Sequence, residues 1–264
     1  MEEISKPMIF ESHAHYDDEA FDEDRKELLL SMPEQGISHI VNVAASVESL
    51  AATKELVEKY PHVYGAFGIH PDEVGDLDEK SFEQLRTLCK HEKAVAVGEI
   101  GLDYYWDKEK HDLQKKWFER QMELAREEQM PFIIHSRDSA ADTLEMAKGL
   151  KAGEIGGIVH CFSYGREIAR EYLNMGLYLG IGGVITFKNA KKLKEVVEYA
   201  PLEQLLLETD CPYLAPALHR GKRNTSLLIP YIAEEIARIK GISYDEVVAT
   251  THENAMKVFR LNEK

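Results

Sequence analysis

The sequence predicts a (β/α)8 barrel, and three observations predict it. Eight short apolar runs, several rich in β-branched residues, are spread along 264 residues. Amphipathic segments of helical period lie between them, an alternation that implies parallel strands joined by right-handed crossovers. Eight such units in about 250 residues match the barrel in count and length. A doubly wound open sheet would usually carry fewer strands or a longer chain, and nothing here resembles its Gly-rich first turn.

The expected strands are, in order, "MIFES" (8–12), "HIVNVA" (39–44), "VYGAFG" (63–68), "AVAVGE" (94–99), "PFIIH" (131–135), "GGIVH" (156–160), "LYLGIG" (177–182) and "QLLLET" (204–209). Between them, "DRKELLLSMPEQG" and "VESLAATKELVEKY" read as helices. The clearest helix is 109–129, where Leu113, Trp117, Phe118, Met122 and Leu124–Ala125 recur at helical spacing. After strand eight, "NTSLLIPYIAEEIARIKG" and "SYDEVVATTHENAMKVFRL" read as two further helices that close the barrel. With no low-complexity stretch, Pro/Ser-rich linker or block of like charge, one domain over 1–264 is expected.

Composition narrows the function. Apolar residues make up 44%, enough for a sizeable core. The net charge of −15 argues against a general polyanion-binding surface, though a small basic mouth on an acidic body remains compatible with it. Cys89, Cys161 and Cys211 are odd in number and widely spaced, which fits reduced thiols and neither a disulfide framework nor a CxxC zinc site. No basic segment followed by a long apolar stretch opens the chain, and no run approaches the roughly 18 apolar residues of a membrane span. A soluble, cytoplasmic protein is expected, without membrane partners. Nothing specifies an oligomeric state, and a monomer is compatible with the sequence.

Polar residues fall in a pattern. In a (β/α)8 barrel the active site lies at the C-terminal ends of the strands. Those ends carry His13 and His15 (strand one), His70 (three), Glu99 (four), His135 (five), His160 (six) and Glu208 with Asp210 (eight). For any one of them a satisfied core side chain is the ordinary explanation. Six ends converging on one mouth are not explained that way. His39, His62, His91, His111 and His252 sit in helices or at strand starts and read as structural or solvated; His219 lies in a loop. Imidazole with carboxylate suits Zn²⁺, Mn²⁺ or Fe²⁺, and a carboxylate-rich site also suits Mg²⁺. Four histidines and two carboxylates exceed what one tetrahedral ion needs, so two ions bridged by a carboxylate are expected.

The motifs "ESHAHYDD", "AFGIHP", "AVGEIGLDYYW", "PFIIHSRDS", "GIVHCFSYG", "GIGGVITF", "LLLETDCPYLAP" and "HRGKRN" together resemble the TatD-related metal-dependent deoxyribonucleases of the amidohydrolase superfamily. The resemblance runs in order from about residue 8 to "HENAMKVF". It implies that His13 and His15 bind the first ion together with Asp210, that Glu99 bridges, and that His135 and His160 bind the second. One departure stands out: the family usually continues the basic loop with Glu-Pro after Arg-Asn, whereas Thr225-Ser226 stand here. That puts the anchoring of this loop, or a metal contact from it, in question.

Two divalent cations (Zn, Mg or Mn) would acidify a water and clamp the attacking and leaving oxygens of a phosphodiester. Asp210, beside an ion at the mouth, is the expected base as well as a ligand, and Glu99 shares the catalytic role as the bridge. Arg137 in "HSRD" and Arg220, Lys222 and Arg223 in "HRGKR" would hold phosphate, since Arg forks match phosphate oxygens. His70 could bind a phosphate or pack beside the ligands. Tyr104, Tyr105 and Trp106 could stack on bases or simply pack their loop. Asp103 and Glu208 read as carboxylates that orient ligands, and Cys161 and Cys211 as packing. Gly180, Gly182 and Gly183 suggest close backbone approach.

The expected function is therefore a two-metal hydrolase of DNA phosphodiesters, exonucleolytic on single-stranded or end substrates. The alternative is a small-molecule amidohydrolase or esterase on the same barrel. Many such enzymes bridge their ions through a modified lysine where this chain has Glu99. A catalytically silent binding barrel should have lost ligands, and here the set is complete.

Overall fold

All eight runs form strands. The computed structural model describes residues 7–106 and 109–261. The strands are β1 (Ile9–Ala14), β2 (Ile37–Val43), β3 (Val63–Phe67), β4 (Ala94–Asp103), β5 (Phe132–Arg137), β6 (Gly157–Val159), β7 (Tyr178–Ile181) and β8 (Leu205–Leu207). Each pairs in parallel with the next in chain order. The ring closes where Ala14 bridges Cys211 and the Ser12 hydroxyl donates to the Leu207 carbonyl at 2.9 Å. This is the (β/α)8 barrel that the alternation predicts.

Helices α1 (Arg25–Ser31), α2 (Val47–Lys59), α3 (Glu79–Leu88), α4 (His111–Glu127), α5 (Ala140–Gly149), α6 (Ala152–Ile155), α7 (Arg166–Asn174) and α8 (Lys191–Tyr199) lie between strands; α9 (Ile229–Lys240) and α10 (Tyr244–Val258) follow β8. Their ends are set locally. Ser46 and Ser49 cap the start of α2 reciprocally, and Asp78 and Ser243 accept the third backbone N–H of α3 and α10. Gly241, at φ 68°, ends α9 in the left-handed region that a side chain would disfavour.

Two apolar layers result. The larger packs helices on the outside of the sheet: Leu56 and Val57 of α2, Trp117, Phe118 and Met122 of α4, and Ile232 and Ile236 of α9. The smaller takes at least one side chain from every strand, among them Phe10, Val41, Ala66, Val95, Ile133, Ile158, Tyr178 and Leu206. Ala255, Val258 and Phe259 join it from the end of α10, with Phe259 stacked on Phe10 at 5.6 Å. The last helix thus plugs the N-terminal end of the barrel and leaves the C-terminal end open for a site.

Three strand ends differ from the sequence reading in a way that matters. The fourth strand was expected to end at Glu99, but β4 continues to Asp103. Its register against β5 shifts between Val97 and Ile100, and Gly101 then lets the two backbones close up. A Cβ on Gly101, at φ +146°, would lie 2.0 Å from the His135 carbonyl oxygen. Glu99 is therefore held within a strand, and Asp103 is carried over His135. By contrast β6 and β8 are only three residues long, so His160, Glu208 and Asp210 stand just past them. Among the described residues no helix is long and apolar enough to cross a membrane.

Candidate metal centre

Barrel closure assembles the first half of the site. The Asp210 N–H donates to the His13 carbonyl at 3.0 Å, and the His15 N–H donates to the Cys211 carbonyl at 2.9 Å. The seam between the first and last strands thus sets His13, His15 and Asp210 side by side. Their side chains meet: Nε2 of His13 and Nε2 of His15 are 3.2 Å apart, and Asp210 Oδ1 lies 3.2 Å from His15 and 3.7 Å from His13. Asp210 has φ 57°, a left-handed backbone that costs energy outside glycine and clusters at functional sites.

The second half stands across Glu99. Its Oε1 lies 2.6 Å from His160 Nε2 and 2.8 Å from His135 Nδ1, while its Oε2 faces His13 at 3.4 Å and His15 at 3.7 Å. His135 Nδ1 and His160 Nε2 are themselves 3.2 Å apart. Imidazole nitrogens therefore converge on both oxygens of a single buried carboxylate: His13 and His15 on Oε2, His160 and His135 on Oε1, with His70 Nε2 farther off at 3.8 Å.

Outer hydrogen bonds fix which nitrogens point inward. His15 Nδ1 donates to the Val43 carbonyl at 2.7 Å, which turns Nε2 toward Glu99 and Asp210. His135 Nε2 donates to Asp103 Oδ2 at 2.9 Å and leaves Nδ1 facing Glu99. Nδ1 of His13 and Nδ1 of His160 are buried without a hydrogen-bond partner. Four inward nitrogens with two shared carboxylates form a donor set for divalent cations, and the groupings His13–His15–Glu99 and His13–His160–Asp210 each converge to within 4.8 Å.

Electrostatics agree with this. Burial drives His13 down to about 4, helped by the neighbouring His160. Burial acts the same way on His15, but its hydrogen bond to Asp210 and the charges of Asp210 and Glu99 outweigh it and lift His15 to about 10. His135 is likewise raised to about 9, against burial, by Asp103 and Glu99. Glu99 stays ionised: burial opposes this, but His160, His13 and His135 hold it well below the usual carboxylate range. So much negative charge at the focus recruits cations, and protonated imidazoles supply positive charge where an ion would.

A buried outer ring supports these side chains. Glu208 Oε1 accepts the Cys161 N–H at 2.5 Å and lies 3.9 Å from His160 Nδ1. Room for this carboxyl depends on Gly180, where a Cβ would fall 2.1 Å from Glu208 Oε2. Gly183 also meets backbone closely, at Leu214 O, whereas Gly182 has ordinary space. Glu11 is the member that sequence reasoning missed. Fully buried, it accepts from the N–H groups of His13 and Thr209 and from the hydroxyls of Thr209 and Ser226. The Ser226 hydroxyl also meets Tyr16 Oη at 2.7 Å. Thr225-Ser226 thus leaves the loop anchored, with the carboxylate supplied by β1. The available signal was a glutamate inside an apolar run, two residues before His13.

A cavity of about 580 Å³ opens above these residues, lined among others by His15, His70, Glu99, His135, His160 and Asp210. Arg137 lines it too, as the sequence reading expects. Arg220, Lys222 and Arg223 are not brought to its wall. The Arg223 guanidinium donates to both Asp24 carboxylate oxygens, at 2.7 and 2.6 Å, and stacks over Phe21. Arg220 lies over the Phe187 ring at 5.6 Å. Sequence proximity to Asp210 does not carry these residues to the mouth: Asp24 and Phe21 hold Arg223 outside it, and Arg220 lies over Phe187. Asp17, Asp18, Asp72 and Glu73 line it instead, none of them expected.

A barrel with clustered histidines and carboxylates at its C-terminal mouth defines the class of metal-dependent hydrolases. A family model described as TatD related DNase matches residues 10–260, and the chain belongs to that family. Among curated proteins it is 43% identical to the metal-dependent hydrolase YabD of Bacillus subtilis, over 97% of this chain and all of that one. It is 35% identical to the metal-dependent hydrolase YcfH of Escherichia coli, over 96% of each. The structure of YJJV, a TatD homologue from Escherichia coli, superposes with a TM-score of 0.90 at 29% identity, over 96% of this chain and 98% of that one. A TatD-family hydrolase from Entamoeba histolytica gives 0.85 at 26% identity, over the same shares.

Proposed function

We propose that this hydrolase is a two-metal deoxyribonuclease that releases nucleotides from the end of a single strand. The observation that carries the reading is the placement of Glu99, whose two oxygens face separate sets of imidazoles. In this reading His13, His15 and Asp210 would hold one ion, His135 and His160 would hold the other, and Glu99 would be shared between them. The donor set suits Zn²⁺, Mn²⁺ or Mg²⁺. When bound, the pair supplies Lewis-acid activation of water and of the scissile phosphate.

The chain's own groups do the rest. Asp210 Oδ1 faces the imidazoles, which leaves Oδ2 to receive the proton of the attacking water. Its side chain is 18% exposed against 4% for Glu99, so of the two carboxylates Asp210 is the one that can pass that proton on to solvent. Burial opposes its ionisation, yet His15 and the adjoining imidazoles hold it below the usual carboxylate range, ready to accept. His70 has a defined tautomer: its Nδ1 accepts the Asp72 N–H at 3.2 Å, so its proton sits on Nε2. Burial and the neighbouring His135 keep it neutral, down to about 3. Facing the cavity, that N–H is a donor for a phosphate oxygen. Arg137 at the rim offers the complementary charge.

The test is metal removal. Chelated protein should release no mononucleotides from single-stranded DNA, and Mg²⁺, Mn²⁺ or Zn²⁺ should restore release. Equal activity in excess chelator would overturn the reading. So would a metal-loaded protein that spares DNA and cleaves a lactone or an amide.

A further inference from the structure

The mouth of the cavity is poorly furnished for gripping phosphates. Among its described lining residues Arg137 is the one Lys or Arg, against Asp17, Asp18, Asp72 and Glu73 beyond the focus itself. The rim instead carries aromatic surface. Trp106 is 66% exposed and lines the cavity from the segment after β4; Tyr213 is 56% exposed and lines it from the segment after β8. In a barrel ordered β1 to β8 these segments stand on opposite sides of the mouth. Tyr105, 47% exposed, adjoins Trp106 edge to face at 4.7 Å.

Scattered exposed aromatics are ordinary. These are gathered at one opening, and they are held. The Arg137 guanidinium lies 4.0 Å from the Tyr105 ring centre and 5.4 Å from that of Trp106. Asp103 Oδ1 accepts the backbone N–H groups of Tyr105 and Trp106 at 2.8 and 3.1 Å, while its Oδ2 holds His135. Tyr213 is tied to the adjoining segment after β1 by its hydroxyl, which donates to Asp18 at 2.7 Å. A ring fixed by its edge and left bare on a face is a stacking platform, already ordered before anything binds.

We infer that Trp106 and Tyr213 form a base-stacking slot, and that the site recognises a single strand by its terminal bases more than by its phosphates. This rests on the nuclease reading and adds to it the residues that select the substrate. A duplex end keeps its bases stacked and paired, so the slot favours a frayed or single-stranded terminus. The acidic rim disfavours the charged backbone beyond the first nucleotides.

Two measurements test it. Tetrathymidylate added to the chelated protein should quench the fluorescence of Trp106, with Trp117, only 3% exposed, as the unquenched background. That quenching should vary little between 50 and 200 mM salt, unlike binding through many phosphate contacts. In the metal-loaded enzyme Trp106→Ala should raise KM for short single strands about 10-fold with kcat within about threefold, and Trp106→Phe should restore most of the loss. An unchanged KM in Trp106→Ala, or quenching that collapses with salt, would overturn the slot while leaving the nuclease reading intact. A wild-type protein that neither binds nor cleaves DNA would overturn both.

Discussion

Glu99 and His160 approach to 2.6 Å, the shortest contact in the cluster, while the other Glu99 oxygen turns 3.4 Å toward His13. One carboxylate on β4 thereby joins imidazoles brought by β1 and β6. Glu99→Gln keeps the size but must point an amide N–H at one imidazole pair, which repels a cation there. Metal content by mass spectrometry should fall from two ions per chain to one or none. Phosphodiester hydrolysis should fall by at least ~100-fold, with the melting temperature of the metal-free protein little changed.

Asp210→Asn separates fold from chemistry. Asparagine tolerates the left-handed backbone at φ 57° nearly as well as aspartate does, so the turn that ends the barrel should survive. The amide cannot accept the proton of the attacking water and is a poorer ligand. Turnover should drop by ~1,000-fold or more with an unaltered circular dichroism spectrum. Wild-type rates would remove Asp210 from both roles.

Asp103 acts through His135, whose Nε2 donates to it at 2.9 Å. Asp103→Ala frees the ring to rotate and removes the acceptor that makes its Nδ1 a strong donor to a metal. Affinity for the more weakly held ion should fall about 10- to 100-fold by metal titration, and excess metal should recover much of the activity. A direct ligand would not be rescued so readily.

The eight strands were legible because each is a short apolar run bounded by polar residues, and the inner cluster of histidines and carboxylates because each member ends or follows such a run. What escaped depends on contacts between distant segments. Glu11 meets Thr209 and Ser226 across some 200 residues, and only barrel closure brings them together. The same distance problem misdirects the basic loop: nothing near Arg223 in sequence announces that Asp24 will take both arms of its guanidinium. Asp103 was legible as a carboxylate near a ligand but not as part of β4, since the register shift after Val97 is a tertiary fit to β5.

The phosphate-binding roles expected of Arg137 and Arg223 can be tested separately on that basis. Arg137 lines the cavity; Arg223 is engaged with Asp24 and Phe21. Arg137→Ala should raise KM for oligonucleotides several-fold. Arg223→Ala should leave KM near wild type and lower the melting temperature modestly, because a partly exposed ion pair is worth at most about 1 kcal/mol. The reverse pattern would restore the basic loop to the substrate site.

The opposite end of the barrel sets an acid limit on stability. His39, on β2, stacks on Phe10 at 5.0 Å near His252, and its Nδ1 meets the Ser38 hydroxyl at 2.9 Å. Burial, with the charges of His252 and His62 adding to it, lowers His39 from 6.5 to about 4. Between those values the unfolded chain binds a proton that the folded one refuses, so stability is full above pH 6.5 and declines as pH falls toward 4. Because His39 is only partly buried, solvent screening reduces the effect to on the order of 1 kcal/mol. His39→Gln has no such proton to take up and can still meet Ser38. Its urea midpoint should therefore fall less than that of the wild type between pH 7.5 and pH 5. The metal-site histidines are common to both proteins and cancel in the comparison. Equal losses would show that the lower end of the barrel does not titrate in this range.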